Sequence, residues 1–175
     1  MINSKLFSKI FLIFNFIFTS LFTPNISFSE DKFLNKINHA NILMYHRFGE
    51  NKYPTTNTKI EQFITHTNEL VKDKYDVIRL DKVIKGLKGE INLKDRSVSI
   101  TIDDAYLSVY TKAWPILNKL NLPFTLFIST DVIDNNFSNY MNWDQIRELV
   151  DNGVLVGSQT KSHPHLHRLS SKQIL

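Results

Sequence analysis

Short apolar runs alternate with stretches of helical period along most of the chain. Asn41 to His46 (NILMYH) is a brief apolar run of strand character. Lys59 to Tyr75 predicts an amphipathic helix with Ile60, Phe63, Ile64, Leu70 and Val71 on its apolar face. Asp76 to Leu80 is strand-like, and Asp81 to Leu87 a short helix ended between Gly86 and Gly89. Ser97 to Ile102 (SVSITI) is a β-branched strand, followed by a helix from about Tyr106 to Leu120. Pro123 to Ser129 predicts a strand, Asn142 to Asn152 a helix stopped by Gly153, and Val154 to Gly157 a further strand. Ser170-Ser171 caps a last helix. Strands and helices in turn with short connections predict an α/β fold, a parallel sheet wound with helices and either open or closed into a barrel.

The first 29 residues follow another pattern. Lys5 and Lys9 precede an apolar run from Ile10 to Phe22, and Ser27-Phe28-Ser29 leads into Glu30-Asp31. A basic start, a short apolar centre and small residues have the order of a secretory signal. The run is shorter than the ~20 residues that cross a bilayer comfortably. The expectation is a signal peptide over 1–29, a polar linker over 30–40 and one folded domain over 41–175, placed in the periplasm or outside the cell. Membrane attachment would come only from the N-terminal segment left uncleaved.

Composition narrows the classes. With 42% hydrophobic and 22% charged residues, the chain is that of a globular protein rather than a disordered one. The net charge is +4, and the two leader lysines supply half of it. The remainder is too weakly basic to mark a nucleic-acid surface. There is no cysteine, so disulfides, thiolate metal sites and cysteine nucleophiles are excluded. No Gly-rich phosphate loop and no GxSxG turn is present either.

In wound parallel sheets chemistry gathers at the carboxyl ends of strands. The polar residues there are Tyr45-His46, Asp103-Asp104 and Gln159 to His163. Adjacent carboxylates inside a strand point to opposite faces, so both reach one pocket only where the strand ends. The competing reading makes Asp104 a helix cap and leaves Asp103 in solvent. His163, held by Pro164 just after a strand, is best placed to meet Asp104; His165 and His167 read as surface. An Asp oxygen and a neutral imidazole suit zinc, cobalt or nickel better than magnesium. A single histidine at a strand end is more often structural, and His46 gains weight only by converging with the other two ends. His39 and His66 read as structural, and Ser129-Thr130-Asp131 as a helix cap.

Together these pieces resemble the polysaccharide deacetylase family, which shares the homology domain of the nodulation chitooligosaccharide deacetylase. Thr101-Ile-Asp103-Asp104-Ala105 stands in place of the family's Thr-Phe-Asp-Asp-Gly, and Gln159-Thr-Lys-Ser-His163 in place of its His-(Ser/Thr)-x-x-His. Leu43-Met-Tyr45-His46 is similar to the branch that deacetylates poly-N-acetylglucosamine, where the catalytic acid precedes the first motif. The resemblance implies a (β/α) barrel of the seven-stranded deacetylase type, incomplete on its C-terminal side. It implies a metal-dependent hydrolase removing N-acetyl groups from glycans containing N-acetylglucosamine. Asp103 would be the general base, Asp104 and His163 ligands of a divalent metal (zinc, with cobalt or nickel as alternatives), and His46 the acid. The Tyr106 amide would bind the oxyanion. Gln159 stands where the family has its first metal histidine, and Ala105 where it has glycine. A degenerate member that binds glycan without turnover is the alternative. Another metal hydrolase on the same scaffold comes third.

Overall fold

The computed structural model describes residues 39–174. The expected signal peptide and most of the linker lie outside the described residues. Among the described residues seven strands appear: β1 (Asn41–Tyr45), β2 (Arg47–Phe48), β3 (Asn57–Thr58), β4 (Asp76–Val77), β5 (Ser97–Ile102), β6 (Phe124–Ile128) and β7 (Leu155–Ser158). Helices α1 (Ile60–Lys72), α2 (Leu80–Leu87), α3 (Trp114–Lys119), α4 (Thr130–Asp134), α5 (Trp143–Asp151) and α6 (Ser171–Ile174) run between and after them. The main sheet is parallel throughout, in the order β1-β5-β6-β7, with β4 also pairing with β5. This is the expected α/β fold. The described strands form an open sheet: β1 pairs only with β5 and β7 only with β6. A second, two-stranded parallel pair, β2 with β3, was not foreseen. Strands of two residues leave no periodic trace.

The core follows from β5, whose six residues are all buried. That is the pattern of a parallel strand covered on both faces. Ile100 and Ile102 stand in register with Phe124 and Leu126, and Leu126 in turn with Val156. Val109, Leu117, Ile146 and Leu149 cover them from the helices. Each such side chain, taken fully from water, contributes about 1.5–3 kcal/mol. The alternate residues of β5, Ser97, Ser99 and Thr101, are small, hydroxylated and buried, as is Thr125 of β6. Gly157 matters for close approach, since a Cβ there would run into the Phe127 ring.

Several expectations need correction. In α1 the buried residues are Phe63, Thr67 and Leu70, while Ile64 and Val71 are exposed. Thr67 is tolerated inside because its hydroxyl donates to the Phe63 carbonyl one turn back. The expected helix from about Tyr106 to Leu120 is helical over 107–119, but its middle is a π-type turn over Val109–Ala113 that leads into α3. Pro115 has no N–H to give the ladder, which explains placing the regular helix so that proline falls in its first turn. The strand expected over 76–80 pairs at only two residues.

Candidate functional site

Register alone brings three strand ends together. Tyr45 pairs with Ile102, so the next residues, His46 and Asp103, emerge side by side; the Asp103 amide donates to the Tyr45 carbonyl at 2.9 Å. Ile128 pairs with Ser158, and the Gln159 amide donates to the Ile128 carbonyl at 2.8 Å. The imidazole of His46 lies 3.9 Å from the Asp103 carboxylate, Nε2 to Oδ2. The imidazole of His163 lies 3.8 Å from Asp104, Nε2 to Oδ1. The Gln159 side-chain amide faces Asp103 Oδ2 at 3.5 Å. All five predicted side chains therefore meet at one rim, and Asp104 pairs with His163 rather than standing apart as a helix cap.

The backbone turns that make this possible are strained. Among the described residues eight non-glycine positions have positive φ, and four belong to the site: Asp104 (73°), Ala105 (52°), Thr160 (68°) and His163 (52°). Left-handed backbone costs an L-residue roughly 1–2 kcal/mol. Here it swings Asp104 out of the strand's alternation, so that neighbouring carboxylates reach one rim. The turn is pinned across an antiparallel bridge between Tyr106 and Tyr140. Leu107 N–H donates to Asn139 O at 2.8 Å, and Met141 N–H to Ala105 O at 2.9 Å. These bonds flank Tyr106 and leave its own amide out of the pair.

Burial pushes Asp103 above the ordinary carboxylate range; His46 opposes the shift, Asp104 adds to it and His163 opposes it. Burial, then a hydrogen bond to Tyr140 and the charge of Asp104, push the Tyr106 phenol up, so it stays neutral. Asp103 is thus a partly buried carboxylate with an imidazole beside it.

Could a cation sit here? Asp104 Oδ1 and His163 Nε2 are close enough to be spanned by one ion at ~2 Å per bond. Among the described residues no third His, Cys, Asp or Glu completes a metal-holding group. Gln159 offers the remaining donor: its Oε1 is buried with no hydrogen-bond partner. A buried amide oxygen left unpaired costs ~1–3 kcal/mol and is a ready ligand for a cation. The donor chemistry fits a divalent ion held by two oxygens and one imidazole.

Two participants were misread or missed in the sequence. Ser129 does not cap α4; its hydroxyl donates to the Gln159 carbonyl at 3.1 Å, tying the end of β6 to the site loop. Its position at a strand end was the available signal. Arg47, next to His46, packs its guanidinium on Tyr106. His165 and His167 are exposed as expected, with ring centroids 5.8 Å apart.

Comparison with known proteins gives concordant results. Residues 90–175 match the family model described as polysaccharide deacetylase. The chain is 25% identical over 132 residues to YxkH of Bacillus subtilis (strain 168), which carries a provisional polysaccharide deacetylase name; the match covers 75% of this chain and 46% of that protein. Among solved structures, the Streptococcus pyogenes deacetylase PplD in complex with acetate superposes with a TM-score of 0.70 at 21% identity, covering 77% of this chain and 62% of the other. IcaB from Ammonifex degensii gives 0.65 at 27% identity, covering 78% and 57%. The chain thus spans about half to two thirds of the length of these relatives.

Proposed function

The chain belongs to the polysaccharide deacetylase family, and from that premise we propose that it serves as a metal-dependent hydrolase of N-acetyl groups on glycans containing N-acetylglucosamine. The observation that carries the reading is the convergence of His46, Asp103, Asp104, Gln159 and His163 from three strand ends on one rim. The leader pattern supports an exported protein acting on glycan outside the cytoplasm. Among the described residues no helix is long and apolar enough to cross a membrane.

Asp104, His163 and the Gln159 oxygen would hold the cation, zinc first and cobalt or nickel as alternatives. Bound there, a divalent ion supplies Lewis acidity toward the acetamide carbonyl and toward water. Asp103, kept in reserve as a base by its raised proton affinity, accepts the proton of the attacking water. The Tyr106 N–H donates to the oxyanion that develops on the former carbonyl oxygen. The C–N bond breaks as His46, beside Asp103, gives its proton to the departing sugar amine, which leaves poorly as an anion. Acetate and a glucosamine unit result.

Acetate release from chito-oligomers, measured alongside metal content, tests this. Wild-type protein should bind one divalent ion and release acetate. Asp104→Ala and His163→Ala should lose both, by about 10³-fold in turnover for the aspartate. The glutamine at the third corner favours one competing reading, a glycan-binding member without turnover. Glycan binding by a metal-free protein that releases no acetate would establish that alternative.

A further inference from the structure

Arg47 is only 7% exposed, and nothing in the chemistry above uses it. Its guanidinium is sandwiched between two tyrosine rings, with Cζ 3.8 Å from the Tyr53 centroid and 3.4 Å from that of Tyr106. Nη1 donates to Glu50 at 2.9 Å, whereas Nε is buried with no partner. Placing a cation so costs free energy unless its position is worth something. An apolar residue would fill the same space without that cost.

What the guanidinium joins is specific. On one side stands the segment that carries His46, folded back by hydrogen bonds from Arg47 N–H to Thr56 O and from Gly49 N–H to Thr58 O. On the other stands the strained turn that carries Asp103, Asp104 and Tyr106, whose ring also packs on Tyr140 at 4.9 Å. The Phe48 amide, donating to the Ser108 hydroxyl at 3.2 Å, is a second tie between the same two segments. Only a planar cation stacks on both of its faces while its edge bonds a carboxylate.

We propose that Arg47 is a positioning residue: stacked between Tyr53 and Tyr106, it sets the separation of His46 from Asp103 and holds the turn that presents the Tyr106 amide. The catalytic meaning of that separation rests on the deacetylase reading; the mechanical claim stands apart from it.

The test uses the full chain and three variants. Arg47→Lys keeps the charge and loses the plane. Arg47→Met loses both, and Tyr53→Leu removes one face of the sandwich if Arg47→Met fails to fold. Amide hydrogen exchange, melting temperature and acetate release are measured on each. For Arg47→Lys the melting temperature should stay within about 3 °C of wild type. Exchange should rise about tenfold or more over residues 103–108 and stay unchanged over β6. Turnover should fall about 30- to 100-fold with KM held within about threefold, the signature of misplaced groups rather than lost binding. Unchanged exchange over 103–108 in every folded variant overturns the proposal. So does faster exchange spread evenly over the whole domain, since that marks general destabilisation. Should wild-type protein release no acetate, the deacetylase reading fails, and the exchange result still decides the role of Arg47.

Discussion

The two halves of the site are built differently. The acidic half, Asp103 to Tyr106, is held along its backbone by bonds to Tyr45, Asn139 and Met141, and its two carboxylates are only 15% and 18% exposed. The imidazole half, Gln159 to His163, is held at its root by Ser129 and by the amides of Gln159 and Asp131, yet the His163 ring is 59% exposed. Both halves use left-handed backbone to aim their side chains. One half carries strained, partly desolvated charge in a fixed frame; the other brings its imidazole in from solvent. Orientation is thus built into the acidic half, and reach into the other.

The largest effect expected from breaking this asymmetry lies in Asp103→Asn. Turnover should fall by about 10²- to 10⁴-fold. Stability should move the other way. Because burial raises Asp103 above its unfolded value, its contribution to stability is fully present below the ordinary aspartate pKa near ~3.9 and is lost as pH rises through the folded value. The neutral asparagine removes that loss, so the variant should melt higher than wild type at neutral pH and lose the advantage in acid. Thermal melts from about pH 3 to pH 8 check the sign. For the same reason the acid limb of kcat/KM should lie above the ordinary carboxylate range.

A second change sharpens the other half. Gln159→His puts an imidazole where a neutral amide oxygen now stands. Zinc affinity measured by titration calorimetry should rise about tenfold or more, with manganese gaining less, because imidazole favours zinc over harder ions. Equal zinc affinity in the two proteins would remove Gln159 from the ligand set. The smallest effect belongs to Ala105→Gly. Glycine relieves the strain at φ 52° but enlarges the unfolded ensemble, so denaturant midpoints should report a net change of about 1 kcal/mol or less. A larger loss would show that the buried Ala105 methyl packs against something the turn needs.

How much was legible differs by element for physical reasons. The bounds of β5 were read correctly because a fully buried parallel strand is an unbroken β-branched run. The apolar face of α1 was not: Thr67 displaced Ile64 and Val71 from the interior, since its hydroxyl is satisfied within the helix. Ser129 looked like a cap because serine before a helix usually is one. Its hydroxyl found the Gln159 carbonyl across the sheet instead, a partner 30 residues away that no local pattern encodes. Arg47 was passed over for the same reason, as its two aromatic partners lie at separations of 6 and 59 residues.

From the amino-acid order alone came the parallel α/β plan, the strand ends that carry polar groups, and which residue types could take a proton or hold a cation. These follow from periodicity and side-chain chemistry, both local properties. Folding alone decided that Gln159 shows its amide nitrogen to Asp103 while its oxygen is buried, and that Arg47 lies between two rings. Such pairings depend on strand register and on backbone forced into the left-handed region, and both are set by how the whole sheet and its helices pack.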